Sequence, residues 1–166
     1  MAVVTKYGRS RKDPNSIFLA EAIHAEGMSV DIASGPVAIA NGDSAASKIY
    51  LGKVPSSGVI KPSSTVFHTA ITGLASFSIG FEKDGNVNVT FAGGSAVAVL
   101  AAALDLTAAG SKNGIAAVTT PDLGKQVWEL LGYPRDPGFE YDIVGTMNAA
   151  ATAAGTVSAF FQYTRK

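Results

Sequence analysis

The sequence predicts an all-β protein with one or two short helices: an antiparallel β-sandwich, jelly-roll-like, carrying an extended N-terminal arm. Three observations lead to that fold class. Apolar and polar residues alternate with a period of two over about eight short runs. Turn-forming Gly, Pro, Asn and Asp punctuate those runs, with 18 Gly and 7 Pro in 166 residues. No strand pattern is followed by a long helical one, as a parallel α/β sheet would require.

Residues 1–15 are polar, carry Lys6, Arg9, Arg11 and Lys12, and end in Asp13-Pro14-Asn15, which favours an extended step and then a turn. They are read as an arm, and residues 16–166 as one sandwich domain. Ser16 to His24 and Ser29 to Ala40 are short apolar stretches, with Glu26-Gly27 and Ser34-Gly35-Pro36 as breaks, a spacing that suits strands and turns better than one helix. After the Asn41-Gly42-Asp43 turn, Ile49, Leu51 and Lys53 alternate with Lys48, Tyr50, Gly52 and Val54 until Pro55-Ser56-Ser57-Gly58 stops the strand.

The sharpest alternation lies between Ser64 and Phe91. Phe67 and Ile71 are expected to face one way. Phe77, Ile79 and Phe81 share a face opposite Ser76, Ser78 and Gly80, as in a strand with one side buried and the other polar. Val87, Val89 and Phe91 repeat the pattern, and the Asp84-Gly85 pair between the two runs accepts the positive φ of a tight hairpin turn. Gly93-Gly94-Ser95 breaks the sheet pattern, leaving Ala96 to Ala109 as a short helix or a buried loop. From Thr120, which can cap, Pro121 fits a first helical turn, and Leu123, Val127, Leu130 and Leu131 fall on one helical stripe that Gly132 and Pro134 end. Phe139, Tyr141 and Ile143 then alternate with Glu140, Asp142 and Val144. Val157, Ala159, Phe161 and Tyr163 alternate with Ser158, Phe160 and Gln162, which predicts two antiparallel strands joined by the small-residue stretch Asn148 to Ala154.

Composition narrows the function classes. The 13 basic and 13 acidic side chains cancel, so no global field attracts nucleic acid or a membrane surface. The absence of Cys excludes disulfide scaffolds, thiolate zinc sites and thiol catalysis. An apolar content of 47% suffices for a core. The longest apolar run, Ala96 to Leu104, is about half of the ~20 residues a membrane helix needs, and the first residues lack signal-peptide architecture. The expectation is a soluble protein without a cleaved signal.

No catalytic or cofactor motif assembles. His24 and His68 fall in different expected strands without a close ligand pair, and read as structural histidines. Glu140 and Asp142 share one face of an expected strand, where they would share a cation or a proton, or simply form a solvated face; the solvated face is preferred. Asp84-Gly85-Asn86 lacks the remaining acids of a calcium loop. Gly93-Gly94-Ser95 lacks the spacing of a strained nucleophile turn, and Gly110-Ser111-Lys112 lacks the glycine framework of a phosphate loop. Two features keep functional content. The cluster Lys6, Tyr7, Arg9, Arg11 and Lys12 is a basic arm suited to phosphates or an acidic protein surface, or else a solvated tail that orders only with a partner. Abundant Ser, Thr, Ala and Gly cost little side-chain entropy to order and allow close apposition of surfaces.

The ordered series Pro55-Ser56-Ser57-Gly58-Val59-Ile60, Leu100-Ala101-Ala102-Ala103-Leu104-Asp105-Leu106-Thr107-Ala108-Ala109-Gly110, Trp128-Glu129-Leu130-Leu131-Gly132, Tyr141-Asp142-Ile143-Val144 and Ala153-Ala154-Gly155-Thr156-Val157 resembles the head decoration (capsid cement) proteins of tailed bacteriophages. The likeness spans roughly Ile49 to the C-terminus and leaves the arm outside. It implies a structural β-sandwich or jelly-roll module on the outer surface of a phage head, made in the host cytoplasm. Its expected partners are the major capsid protein and further copies of itself as homodimer or homotrimer, with no enzyme activity, cofactor, direct nucleic-acid contact or membrane. The alternatives are another virion role, in a tail tube, tail tip or receptor-binding module, and a glycan-binding sandwich using Tyr50, Tyr133 or Trp128.

Overall fold

In the computed structural model, which describes residues 3–7, 29–83 and 96–165, the strands are β1 (Thr5–Tyr7), β2 (Ser29–Ile39), β3 (Lys48–Pro55), β4 (Gly58–Ile60), β5 (Thr65–His68), β6 (Phe77–Glu82), β7 (Ala101–Leu104), β8 (Gly110–Asn113), β9 (Glu140–Met147) and β10 (Gly155–Arg165). They build two sheets, ordered β1-β3-β9-β6-β7 and β2-β10-β5-β8, with β4 pairing the end of β10. Among the described residues every pairing is antiparallel except β1 with β3. The expected two-sheet antiparallel architecture is therefore present.

Alternation explains the core. Phe77, Ile79, Phe81, Tyr141 and Ile143 from the first sheet and Val66, Val157, Phe161 and Tyr163 from the second are buried together in one cluster. The Phe81 and Tyr141 rings sit 6.2 Å apart and tilted by 57°, a favourable aromatic geometry. Burial of such side chains stabilises by about 1.5–3 kcal/mol each.

Tertiary context overrides several local patterns. Ser34-Gly35-Pro36 does not break the second apolar stretch: β2 runs unbroken through it, because Gly35 and Pro36 face a single residue of β10 in a bulge between Val157 and Ala159. Pro36 lacks an N–H for a ladder, and β2 is an edge strand, where that loss is tolerated. In β5 Phe67 and Ile71 do not face one way as expected. Val66 and His68 point inward, while Phe67 is 49% exposed opposite Ser158 and Ser111. Ile71 is buried, but it lies past the end of the strand, so its phase says nothing about Phe67.

The polar side of β6 is also covered rather than solvated. The 3-10 turn Ala96–Ala98 crosses it so closely that a Cβ on Gly80 would lie 1.7 Å from the Ala96 carbonyl oxygen. Beyond that turn the Ala/Leu-rich stretch continues as β7, so the choice between short helix and buried loop resolves into a 3-10 turn and a strand. The Asp84-Gly85 turn and Val87–Phe91 lie outside the described residues. So do the Ser16–His24 stretch and His24.

The helix expected from Thr120 is two pieces: a 3-10 turn, Thr120–Asp122, and a single α-turn, α1 (Val127–Leu130). Gly124, at φ +87°, separates them, and Leu123 projects into solvent at 45% exposure instead of joining the stripe. α1 starts with a capping box, in which Glu129 accepts from the Gln126 N–H. Finally, β9 and β10 do not pair with each other. They belong to opposite sheets, and the small-residue stretch Asn148 to Ala154 carries the chain across, held by Gly42 N–H to Ala151 O and Thr152 N–H to Thr72 O bonds.

Candidate interaction surfaces

Among the described residues no group of three or more His, Asp or Glu side chains gathers to hold a metal. The expected Glu140–Asp142 pair is split. Glu140 is exposed, whereas Asp142 is 3% exposed, so the solvated face is not what forms. The register places Asp142 between Lys53 of β3 and Glu82 of β6. Glu82, itself 1% exposed, accepts from Lys48 Nζ and from the Tyr50 hydroxyl, each at 2.8 Å. Strands β3 and β6 are thus tied to each other over β9, on the sheet's outer face, by a partly buried, charge-assisted network. Sequence spacing missed it, because Lys48, Tyr50 and Glu82 come from segments 34 and 32 residues apart.

His68 sits in β5, 7% exposed, with Nδ1 3.1 Å from the Thr69 carbonyl oxygen. The carbonyl can only accept, so Nδ1 carries the hydrogen. The bond holds the ring against the backbone of the residue that follows it. Of the aromatics named for glycan binding, Tyr50 is 3% exposed and bonded to Glu82, whereas Tyr133 and Trp128 are half-buried, the Trp128 Nε1 donating to Gln126 Oε1 at 3.1 Å.

Of the arm cluster, Lys6 and Tyr7 lie in β1, whose backbone runs parallel to the β3 edge with Lys6 beside Ile49 and Tyr7 beside Tyr50. Arg9, Arg11 and Lys12 lie outside the described residues.

The second sheet presents a different surface. Its outward residues include Thr65 and Phe67 of β5, Thr156, Ser158, Phe160 and Gln162 of β10, and Asp31 and Ala33 of β2. Gln162 Nε2 donates to Asp31 Oδ1 at 2.9 Å, and Ser63 Oγ donates to Gln162 Oε1 at 3.0 Å. A half-exposed Phe among short hydroxyl side chains, with one carboxylate already engaged, makes a flat, low-charge face. Alternation could have revealed it only had the phase of Phe67 been read from Val66.

Two loops carry carboxylates held below their ordinary range. Asp105 accepts from the Thr107 hydroxyl and backbone N–H, and Asp122 accepts from Lys125 Nζ and the Thr119 hydroxyl. Both fix turn geometry. On the same physical footing, Lys83 Nζ stands 3.3 Å from the centroid of the Phe139 ring, a cation–π contact at the first sheet's end.

These features define a two-sheet, all-β protein whose described surface offers flat sheet faces, sheet edges and pinned loops. No protein-family model matches the chain, and no curated protein matches it. Among solved structures, a chain of "Capsid of Ralstonia phage GP4" is similar at TM-score 0.55 and 15% identity, covering 87% of this chain and 88% of that one. A chain of "Cyanophage Pam1 capsid asymmetric unit" aligns at TM-score 0.48 and 16% identity, over 87% and 89% of the two chains. At that identity the first likeness establishes a shared fold.

Proposed function

We propose that this protein is a structural, non-enzymatic component of a phage virion that binds the outside of the capsid and bridges neighbouring major capsid subunits. The observation that carries this reading is the match to a chain of a phage capsid structure over 87% of this chain and 88% of that one, a near end-to-end correspondence of the fold. A body touching two subunits stabilises the shell by mass action, and many modest footprints add through multivalency.

The arm is the second part of the proposal. Lys6, Tyr7, Arg9, Arg11 and Lys12 form a basic strap that meets acidic or polar groups on the shell, while copies associate with one another as dimers or trimers. Because Thr5–Tyr7 is a strand, deleting the arm also removes sheet pairing. Replacing Lys6, Arg9, Arg11 and Lys12 by Gln separates the two effects. The experiment is mass spectrometry of purified heads separated from tails, followed by binding of the purified protein to capsids lacking it. Recovery in heads, saturable binding and weaker binding of the Gln variant are expected. Recovery only in tails would overturn the reading, and unchanged occupancy of the Gln variant would remove the arm from it.

A further inference from the structure

We propose that β1 is an exchangeable strand: the edge of β3 from Lys48 to Tyr50 is a docking site for the Val3–Tyr7 segment of a second copy of this chain. The inference starts from how β1 is held. It is the one parallel pairing among the described residues, it lies at the end of its sheet, and its sheet neighbour is β3 alone. The contacts that seat its first residues involve backbone groups: Lys48 N–H to Val4 O at 2.9 Å and Val4 N–H to Ser47 Oγ at 3.1 Å. Val3 is 65% exposed and Thr5 is exposed, so few apolar contacts on that stretch identify the strand as the chain's own.

The second observation is the length of chain that follows. Residues 8–28 connect β1 to β2, and an extended connection of that length reaches up to about 70 Å. The two sites it must join are neighbours, since Ile32 of β2 packs directly on Gly52 of β3. A connection of that length does not by itself confine β1 to its own body. Identical backbone bonds form whether β1 comes from the same chain or from another. The choice between them is set by concentration: the own strand competes with an effective concentration on the order of 1 mM, which a dense array of copies matches. The exchange itself is tested on the free protein, so its failure there is distinguishable from a failure of the proposed capsid role, which alone supplies the dense array.

The natural chain has no Cys, so single substitutions report cleanly. Full-length Thr5→Cys and Lys48→Cys chains, whose positions are partners in the β1–β3 register, are mixed in equal amounts and oxidised at concentrations from about 10 μM to about 1 mM. The unlike disulfide dimer is expected to exceed both like dimers beyond the statistical ratio and to rise about fiftyfold across that range, following effective-concentration arithmetic. Lys48 also pairs with Glu82, so a second measurement leaves β3 intact. A photo-crosslinking amino acid at Thr5 in isotopically heavy chains, mixed with light wild-type chains, should yield heavy-to-light crosslinks onto the Lys48–Leu51 peptide. Crosslinks confined to single chains at about 1 mM, or dimers in the statistical ratio, would overturn the exchange.

Discussion

Ser34 Oγ accepts a 2.7 Å hydrogen bond from the backbone N–H of Ala159, across the point where the β2–β10 register shifts. The bulge at Gly35-Pro36 breaks the regular ladder there, and a buried N–H without an acceptor costs about 1–3 kcal/mol. The serine side chain takes the place of the missing carbonyl. Ser34→Ala is therefore expected to destabilise the fold by about 1–2 kcal/mol, read as a lower urea midpoint with an unchanged slope. Equal midpoints would show that the bulge relaxes onto another acceptor.

Glu82 concentrates two charge-assisted bonds on one buried carboxylate, from Lys48 and Tyr50. Glu82→Ala removes the carboxylate that accepts from the Lys48 ammonium and the Tyr50 hydroxyl; Lys48 keeps partial access to water, so a loss of about 1–3 kcal/mol is expected. Glu82→Gln keeps an acceptor for one of them and should cost less. The ordering of the two variants in chemical denaturation is the test: an Ala variant no worse than Gln would mean that the network contributes little.

Gly80 is a packing requirement rather than a turn. A methyl group there would meet the Ala96 carbonyl oxygen at 1.7 Å, and the next nearest atoms are also backbone of Ala96 and Val97, which leaves little room to give. Gly80→Ala should cost about 3 kcal/mol or more, as overpacking in a core does. It should also loosen the Ala96–Ala98 turn, visible as faster amide exchange at Leu100, whose N–H is bonded to Ile79 O.

What could be read in advance follows from the range of the interactions. Phe77, Ile79 and Phe81 announce a strand because their neighbours in sequence alternate with them, and all three enter the core. The covering of the opposite face was not legible, since it depends on Ala96–Ala98 folding back over Gly80. Pro36 looked like a stop because propensity knows nothing of an edge strand with a bulge. Leu123 looked like part of a helix because the period fitted, although Gly124 at φ +87° ends the first turn. The site suffered most: Lys48, Tyr50 and Glu82 meet only through β9, and no local pattern predicts which strands lie side by side.

Tyr141 and Tyr163 link stability to alkaline pH. Burial pushes both phenols above their ordinary value of 10.0, Tyr141 being fully buried beside the Tyr133 hydroxyl and Tyr163 being partly offset by Arg165. A group whose value is raised in the folded state contributes stability that is complete below the unfolded value and is lost as pH climbs toward the folded one. The window therefore opens at pH 10.0 and extends upward. Each tyrosine that ionises only on unfolding adds a slope of about 1.4 kcal/mol per pH unit. Urea midpoints measured from pH 8 to 12 should be insensitive to these groups below 10 and fall steeply above it. Tyr141→Phe should lower stability at neutral pH only by what the hydroxyl's contact is worth, and it should make the alkaline fall shallower by about that single-site slope. An unchanged slope in that variant would show that the Tyr141 phenol ionises in the folded protein as readily as in the unfolded chain, and the burial argument for it would fail.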